Sequence, residues 1–337
     1  MHSAKGAAVS ASTVSASASV APAASLWARF IKNPPLVAFS FSLLLLLVGS
    51  FININFISLN YLLQQLQVGA FFGIIAAGVM LVVLLGHIDL SVPWTVTTGG
   101  MMATFAAGTF GPAWAIPVGV GCGLAVGLIN GLGVAYLRIP SMIFTLGMNA
   151  VLQGLMVLQT GGFAPQDKAT PLMQVLATQR SFGLPNAVLV WAAVACVVML
   201  MLKYTSFGRY IYAIGNREGA AYLSGLPTRA VLIGCFTLCG VLSAFAGVLI
   251  AGYSSNAYQA MGDPYLLPAI AAVVLGGTNI LGGRGTFIGT IAGVILIVLL
   301  QSMLAVLQMP EAGRQIIYGI VIVVMLLIYG RGARESG

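Results

Sequence analysis

Charge is what this sequence has least of: 6% of its 337 residues are Asp, Glu, Lys or Arg, while 59% are hydrophobic and the mean hydropathy is +1.03. A water-soluble surface needs roughly 25–35% charged residues, so a soluble globular protein is excluded and a polytopic helical membrane protein remains. Carboxylates are scarcer still, six against fourteen basic residues, and Asp89 is the one acid inside an apolar segment. A proton or sodium relay therefore has little to work with. Two histidines, His2 and His87, are far from ligand spacing, and the four cysteines (Cys122, Cys196, Cys235, Cys239) form no CxxC pair. Neither a metal site nor a disulfide framework is indicated, and the cysteines read as buried, reduced packing residues. There is no GxxxxGK[ST] loop, so ATP is not bound by that route. No catalytic residue and no cofactor is expected. The net charge of +8 does not mark a nucleic-acid binder, because the basic residues are scattered over short gaps between apolar segments and form no patch with aromatics.

What is present is one apolar segment after another. Residues 1–28 are mostly Ala, Ser, Val and Thr, without the apolar core of a signal peptide, and read as a disordered cytoplasmic tail. Residues 29–334 form the membrane domain. Its spans are expected near 35–55, 62–86, 92–110, 113–137, 141–160, 187–202, 230–252, 267–282, 286–308 and 314–330, an all-α protein of about ten transmembrane helices. The polar interval 161–186 is long enough for an external loop with a short helix. With the N-terminus inside, eleven of fourteen Lys and Arg fall on the cytoplasmic side, leaving Lys168, Arg180 and Arg314 outside. Basic residues in short loops are retained in the cytoplasm, which places both termini there.

The longest interruption is 203–229, with Lys203, Arg209, Arg217 and Arg229. Asn216 is positioned to cap a helix, Glu218 to meet its dipole in the first turn, and Gly225 with Pro227 to stop it. About eight residues, or ~12 Å, cannot cross a bilayer. A helix of this kind either docks on a partner at the cytoplasmic surface or is a turn in a solvated loop. Ala220, Ala221, Ser224 and Gly225 give it the narrow profile that a partner groove would accept.

Polar residues at membrane depth have two readings each. An Asp at a helix centre costs roughly 2.5–3.5 kcal/mol on insertion scales, so Asp89 either caps the third span through the amides of Ser91 or Val92 or faces the transport path or a partner surface. Asn130 and the i,i+4 pair Asn149 and Gln153 either tie helices together or hydrogen-bond a hydroxylated solute. Glycines at close spacing in the fourth span, from Gly119 to Gly131, suit close helix packing in lipid.

Four separated motifs, taken together, resemble the permease subunits of bacterial ATP-binding-cassette importers of the ribose/xylose/arabinose class. They are Gly86-His87-Ile88-Asp89-Leu90-Ser91; Asn130-Gly131 with Arg138-Ile139-Pro140-Ser141 and Thr145-Leu146-Gly147; Gly215-Asn216, Ala220-Ala221 and Leu223-Ser224-Gly225; and Ala269 to Gly276-Gly277-Thr278, continuing through Gly282-Gly283-Arg284-Gly285. The resemblance covers about 60–330. It implies a non-enzymatic pore subunit of the bacterial inner membrane that imports a monosaccharide. ATP would be hydrolysed by a separate ATPase subunit, docked on the 203–229 loop through Asn216, Glu218, Ala220, Ala221, Ser224 and Gly225. A solute-binding protein outside, a second permease copy (identical or paralogous) and the lipid bilayer would be the other partners. Gly276, Gly277, Gly282, Gly283 and Arg284 belong to the family's structural motif; Asp89, Asn149 and Gln153 are the candidates for the path on their polarity at membrane depth and not on the resemblance. This chain departs from the family at His87, Pro93, Gln153 and Gly219. The same machinery for branched-chain amino acids or nucleosides, or an ion-coupled secondary transporter, are the competing functions.

Overall fold

The computed structural model describes residues 33–334. The expected tail at 1–28 lies outside the described residues, as do Lys5, Arg29 and Lys32. Helices dominate, as they must where the backbone has no water to bond. In chain order they are α1 (Pro34–Ile52), α2 (Leu59–Leu84), α3 (Val92–Phe110), α4 (Ala115–Leu137), α5 (Ser141–Thr160), α6 (Pro171–Thr178), α7 (Asn186–Tyr204), α8 (Ser206–Asn216), α9 (Glu218–Leu223), α10 (Thr228–Ser254), α11 (Leu266–Leu275), α12 (Phe287–Val306) and α13 (Glu311–Arg334). A two-residue antiparallel pair, β1 (Arg180–Ser181) with β2 (Leu184–Pro185), follows α6 in the expected external loop.

Among the described residues seven helices are long and apolar enough to cross a membrane: α1, α2, α4, α5, α7, α10 and α12. The expectation of about ten is met only to that extent. α3 sits where the third span is expected, but Thr and Gly lower its hydropathy, and all but a few of its side chains are covered by protein. A helix wrapped by other helices has no need of a lipid-facing surface. α11 is the larger departure: the expected span 267–282 stops after ten residues at Gly276, and Gly277 follows with φ +89°. Ten residues rise only ~15 Å, half a hydrocarbon core.

α10 is the axis, packed against α2, α3, α4 and α6. Its contact with α4 is made by glycine. A Cβ at Gly123 would press on the Gly240 carbonyl oxygen, at Gly127 it would lie 2.7 Å from Thr237 Cα, and at Gly131 2.7 Å from Ile233 Cα. The backbones therefore touch, the arrangement that lets dispersion hold helices together in lipid. α2 is buried along most of its length, whereas α1, α5 and α7 present exposed Leu, Phe, Val and Ile such as Phe41, Leu43, Leu155, Leu158 and Val197. Exposed apolar surface on this scale belongs in hydrocarbon.

The cysteines divide. Cys235 and Cys239 are buried in α10, but Cys122 is half-buried and Cys196 is exposed on α7; all four are free thiols. The expectation of four buried cysteines holds for two, because Cys122 on α4 and Cys196 on α7 sit on faces that the bundle does not fully cover.

Candidate functional site

The segment between α7 and α10 folds as two helices, not the single capped helix expected. Thr205 starts α8, its Oγ1 accepting from Gly208 N at 3.2 Å, and Gly208, Ile211 and Ile214 bury one face. Asn216 is the last residue of α8 and not an N-cap; Arg217, extended at φ −162°, links it to the six residues of α9. Gly225 at φ +79° then ends the segment as expected, with its N–H on Tyr222 O at 3.0 Å.

α8 is seated on two other parts of the chain. Gly283 N donates to Leu84 O at 2.9 Å, joining the 279–285 loop to the end of α2, and Gly215 lies against both partners. A Cβ at Gly283 would be 2.8 Å from Asn216 Cα, and Tyr212 Oη donates to Gly285 O at 3.0 Å. Asn279 N closes the loop on Arg284 O at 2.8 Å, with Gly282 and Gly283 at positive φ and Arg284 exposed. Gly276 approaches the backbone of α12 at Gly289 and Thr290. The Gly215-Asn216 and Gly282-Gly283 motifs, far apart in sequence, are thus one backbone junction.

α9 is tied differently. Glu218 Oε1 lies 2.6 Å from Arg138 Nη1, so this carboxylate is engaged within the chain. Arg138, held at φ 55°, is the turn between α4 and α5. Ala221 is 6% exposed and faces inward, unlike Ala220, Tyr222, Leu223 and Ser224. Leu223, 86% exposed, is the most prominent apolar group of this surface. The exposed face of α9 is therefore Ala220, Tyr222 and Leu223, and Ala221 belongs to the protein's own packing. Sequence reading missed α8, although Thr205 and the Ile211/Ile214 spacing signal it, and it missed the Arg138–Glu218 pair, which no local pattern announces.

Asp89 lies a few residues deeper. Its Oδ1 accepts from Ser91 N at 2.9 Å and Ser91 Oγ at 2.6 Å, so the carboxylate organises the start of α3. Asn130 of α4 donates to Ser91 Oγ at 2.8 Å, and Thr145 Oγ1 of α5 accepts from Leu90 N at 2.9 Å. His87 shares a 3.3 Å hydrogen bond with Ser141 Oγ; burial holds its pKa below the ordinary value, with Glu218 pulling it up and Arg138 down. Asp89, Asn130, Thr145 and Ser141 therefore pin the α2–α3 connection to α4 and α5. Asn149 and Gln153 are not brought into this network. Asn149 is half-buried, its Oδ1 without a partner among the described residues, and Gln153 is exposed.

No group of three or more His, Cys, Asp or Glu able to hold a metal occurs among the described residues.

Residues 61–326 match the family described as branched-chain amino acid transport system / permease component. The chain is 33% identical over 290 residues to the ribose import permease protein RbsC of Escherichia coli K12, covering 85% of this chain and 90% of that one. It is 33% identical over 287 residues to RbsC of Bacillus subtilis 168, with 85% and 89% covered. The autoinducer 2 import system permease protein LsrC of Escherichia coli O9:H4 is 32% identical over 311 residues, with 90% and 89% covered. No solved structure matches. The family match over most of the chain, the relatives at 32–33% identity and the apolar membrane-length helices agree, and the chain belongs to this family of permease components.

Proposed function

We propose that this chain is the inner-membrane permease subunit of an ATP-binding-cassette importer for a monosaccharide. It has no ATP site of its own and works with a separate ATPase, an external solute-binding protein and a second permease copy. The observation that carries the reading is the seating of α8: Gly215 and Asn216 lie on the Leu84–Gly283 junction, so a push on α8–α9 reaches α2 and the loop between α11 and α12 through backbone. Arg138–Glu218 adds a path to the α4–α5 turn. Asn216, Ala220, Ser224 and Gly225, with Tyr222 and Leu223, form the ATPase-docking surface, and Glu218 and Ala221 hold that surface to the bundle.

The segments α3, α11 and α13 complete a ten-segment arrangement with both termini cytoplasmic, supported by the eleven-to-three distribution of basic residues. α11 serves as a half-span. The names of the relatives, ribose import and autoinducer 2 import permeases, support a hydroxylated solute. The family's description favours a second reading, import of branched-chain amino acids by the same machinery. An ion-coupled carrier is disfavoured because Asp89 is the one buried carboxylate among the described residues and is already engaged with Ser91. The test is reconstitution: purified permease, ATPase and binding protein in liposomes should take up radiolabelled ribose only when ATP is supplied.

A further inference from the structure

Between the outer ends of α3 and α5 and the loop after α5 lies a cavity of about 520 Å³, within the size range of small-ligand sites. Its walls include Met101 and Phe105 of α3, Gln159 and Thr160 of α5, and Phe163 and Asp167 of the loop. Thr160 is fixed from the other side, accepting from Gln259 Nε2 at 2.9 Å. Asp167 makes no ion pair among the described residues, and its carboxylate rests over Gly108, where a Cβ would meet Oδ1 at 2.6 Å. No lysine or arginine lines the cavity.

The cavity is aligned with the network around Asp89. Leu90 meets Thr145 at one end, Phe105 and Thr160 share the cavity at the other, and fifteen residues separate them on each segment. α3 and α5 thus run side by side for roughly 22 Å at 1.5 Å per residue. That register puts Met101, which lines the cavity, level with Met156 of α5, and both are buried. Below them Thr98 Oγ1 and Asn149 Oδ1 are buried without partners among the described residues. Thr98, Met101 and Phe105 share one helical face of α3, and Asn149, Met156 and Thr160 one face of α5. Neither Thr98 nor Asn149 lines the cavity, but buried polar oxygens are normally satisfied, so a solute or water passing the two methionines would find partners in them.

We propose that this cavity is the solute's entry site, that it takes an uncharged polyhydroxylated solute, and that Met101 and Met156 close it toward Thr98 and Asn149. This rests on the permease reading and names its substrate chemistry. The Phe105 and Phe163 rings suit the C–H faces of a sugar, the Asp167 carboxylate accepts from its hydroxyls, and the Gln159 amide both donates and accepts. An amino acid would find a partner for its ammonium in Asp167 but no basic side chain for its carboxylate, so the walls suit an uncharged solute better.

The test uses the assembled importer in liposomes with radiolabelled ribose, xylose and leucine as probes. Wild type should take up at least one of the sugars and not leucine. Phe105→Leu and Asp167→Ala should each lower that uptake at least tenfold, with ATP hydrolysis by the purified complex within twofold of wild type. Phe163→Ala, at a position 77% exposed and so without a packing role, should lower it at least threefold. Sugar uptake unchanged in all three variants would overturn the entry site and leave the permease reading standing. Uptake of leucine and of neither sugar by wild type would overturn the monosaccharide reading and the entry site together.

Discussion

Gly215 and Gly219 are four residues apart, one in α8 and one in α9, yet replacing each with alanine should have opposite consequences. At Gly219 an added Cβ meets nothing within 4 Å, and the backbone is helical. Alanine there is favoured over glycine by up to about 1 kcal/mol. At Gly215 the added carbon would stand 2.7 Å from Gly283 N and 3.0 Å from Leu84 C, with the Leu84 oxygen nearer still. Ordinary contact begins at 3.4 Å, so α8 must retreat by at least 0.7 Å, and every atom in its way is backbone. Overpacking of this kind costs about 1–3 kcal/mol, and losing the Gly283–Leu84 hydrogen bond about 0.5–1.5 more. The sum, roughly 1.5–4.5 kcal/mol, should lower the thermal midpoint by on the order of 2–6 °C for a chain of 337 residues. ATP-driven uptake should fall severalfold while the ATPase stays bound, since the exposed face of α9 is untouched. Gly219→Ala should leave both readings at or slightly above wild type. If the two variants were indistinguishable in midpoint and in uptake, the junction beneath α8 would not be the route between docking and transport.

Asp89→Asn keeps an oxygen for Ser91 N and Oγ and should retain protein level and at least half of the uptake. Asp89→Leu strands both donors, about 1–3 kcal/mol for each buried group, and should lose both. A well-assembled Asn variant with no transport would assign the role to the charge instead. For orientation, a cysteine at Gly162 should react with an impermeant thiol reagent in intact cells and one at Asn216 should not; labelling at 216 from outside would invert the topology.

The sequence reading and the structure agree where a signal is local. Helix positions followed from apolar runs bounded by Pro, Gly and Asn, and the Asp89–Ser91 contact is legible because its partners are two residues apart. The α4 glycines announced a close contact without naming α10 as its partner. α8 was missed because Gly208, Gly215 and three aromatic or β-branched neighbours give it poor intrinsic propensity; Ile211 and Ile214 hold it by burial against the bundle. α11 is shorter than its apolar composition suggests, because Ile280 and Leu281 resume the apolar run only after Gly276-Gly277-Thr278-Asn279, where Gly277 turns the chain at φ +89°. Ala221 and Glu218 were assigned outward because a six-residue helix carries too little periodicity to fix its buried face. The fifteen-residue alignment of α3 with α5 joins segments 55 positions apart and has no sequence signature.

Transport driven through α8–α9 by a separate ATPase has a direct consequence for the permease on its own. Its most direct measurement is uptake of radiolabelled ribose into liposomes holding the purified permease, with and without the ATPase and binding protein, for wild type and for Leu223→Asp. Leucine 223 is 86% exposed, so the substitution leaves the bundle intact while placing a charge in the docking surface. The account predicts ATP-dependent accumulation by the complete wild-type system, none by the permease alone under any ion gradient, and loss of both uptake and bound ATPase in Leu223→Asp. Accumulation by the permease alone down an imposed proton or sodium gradient would contradict it.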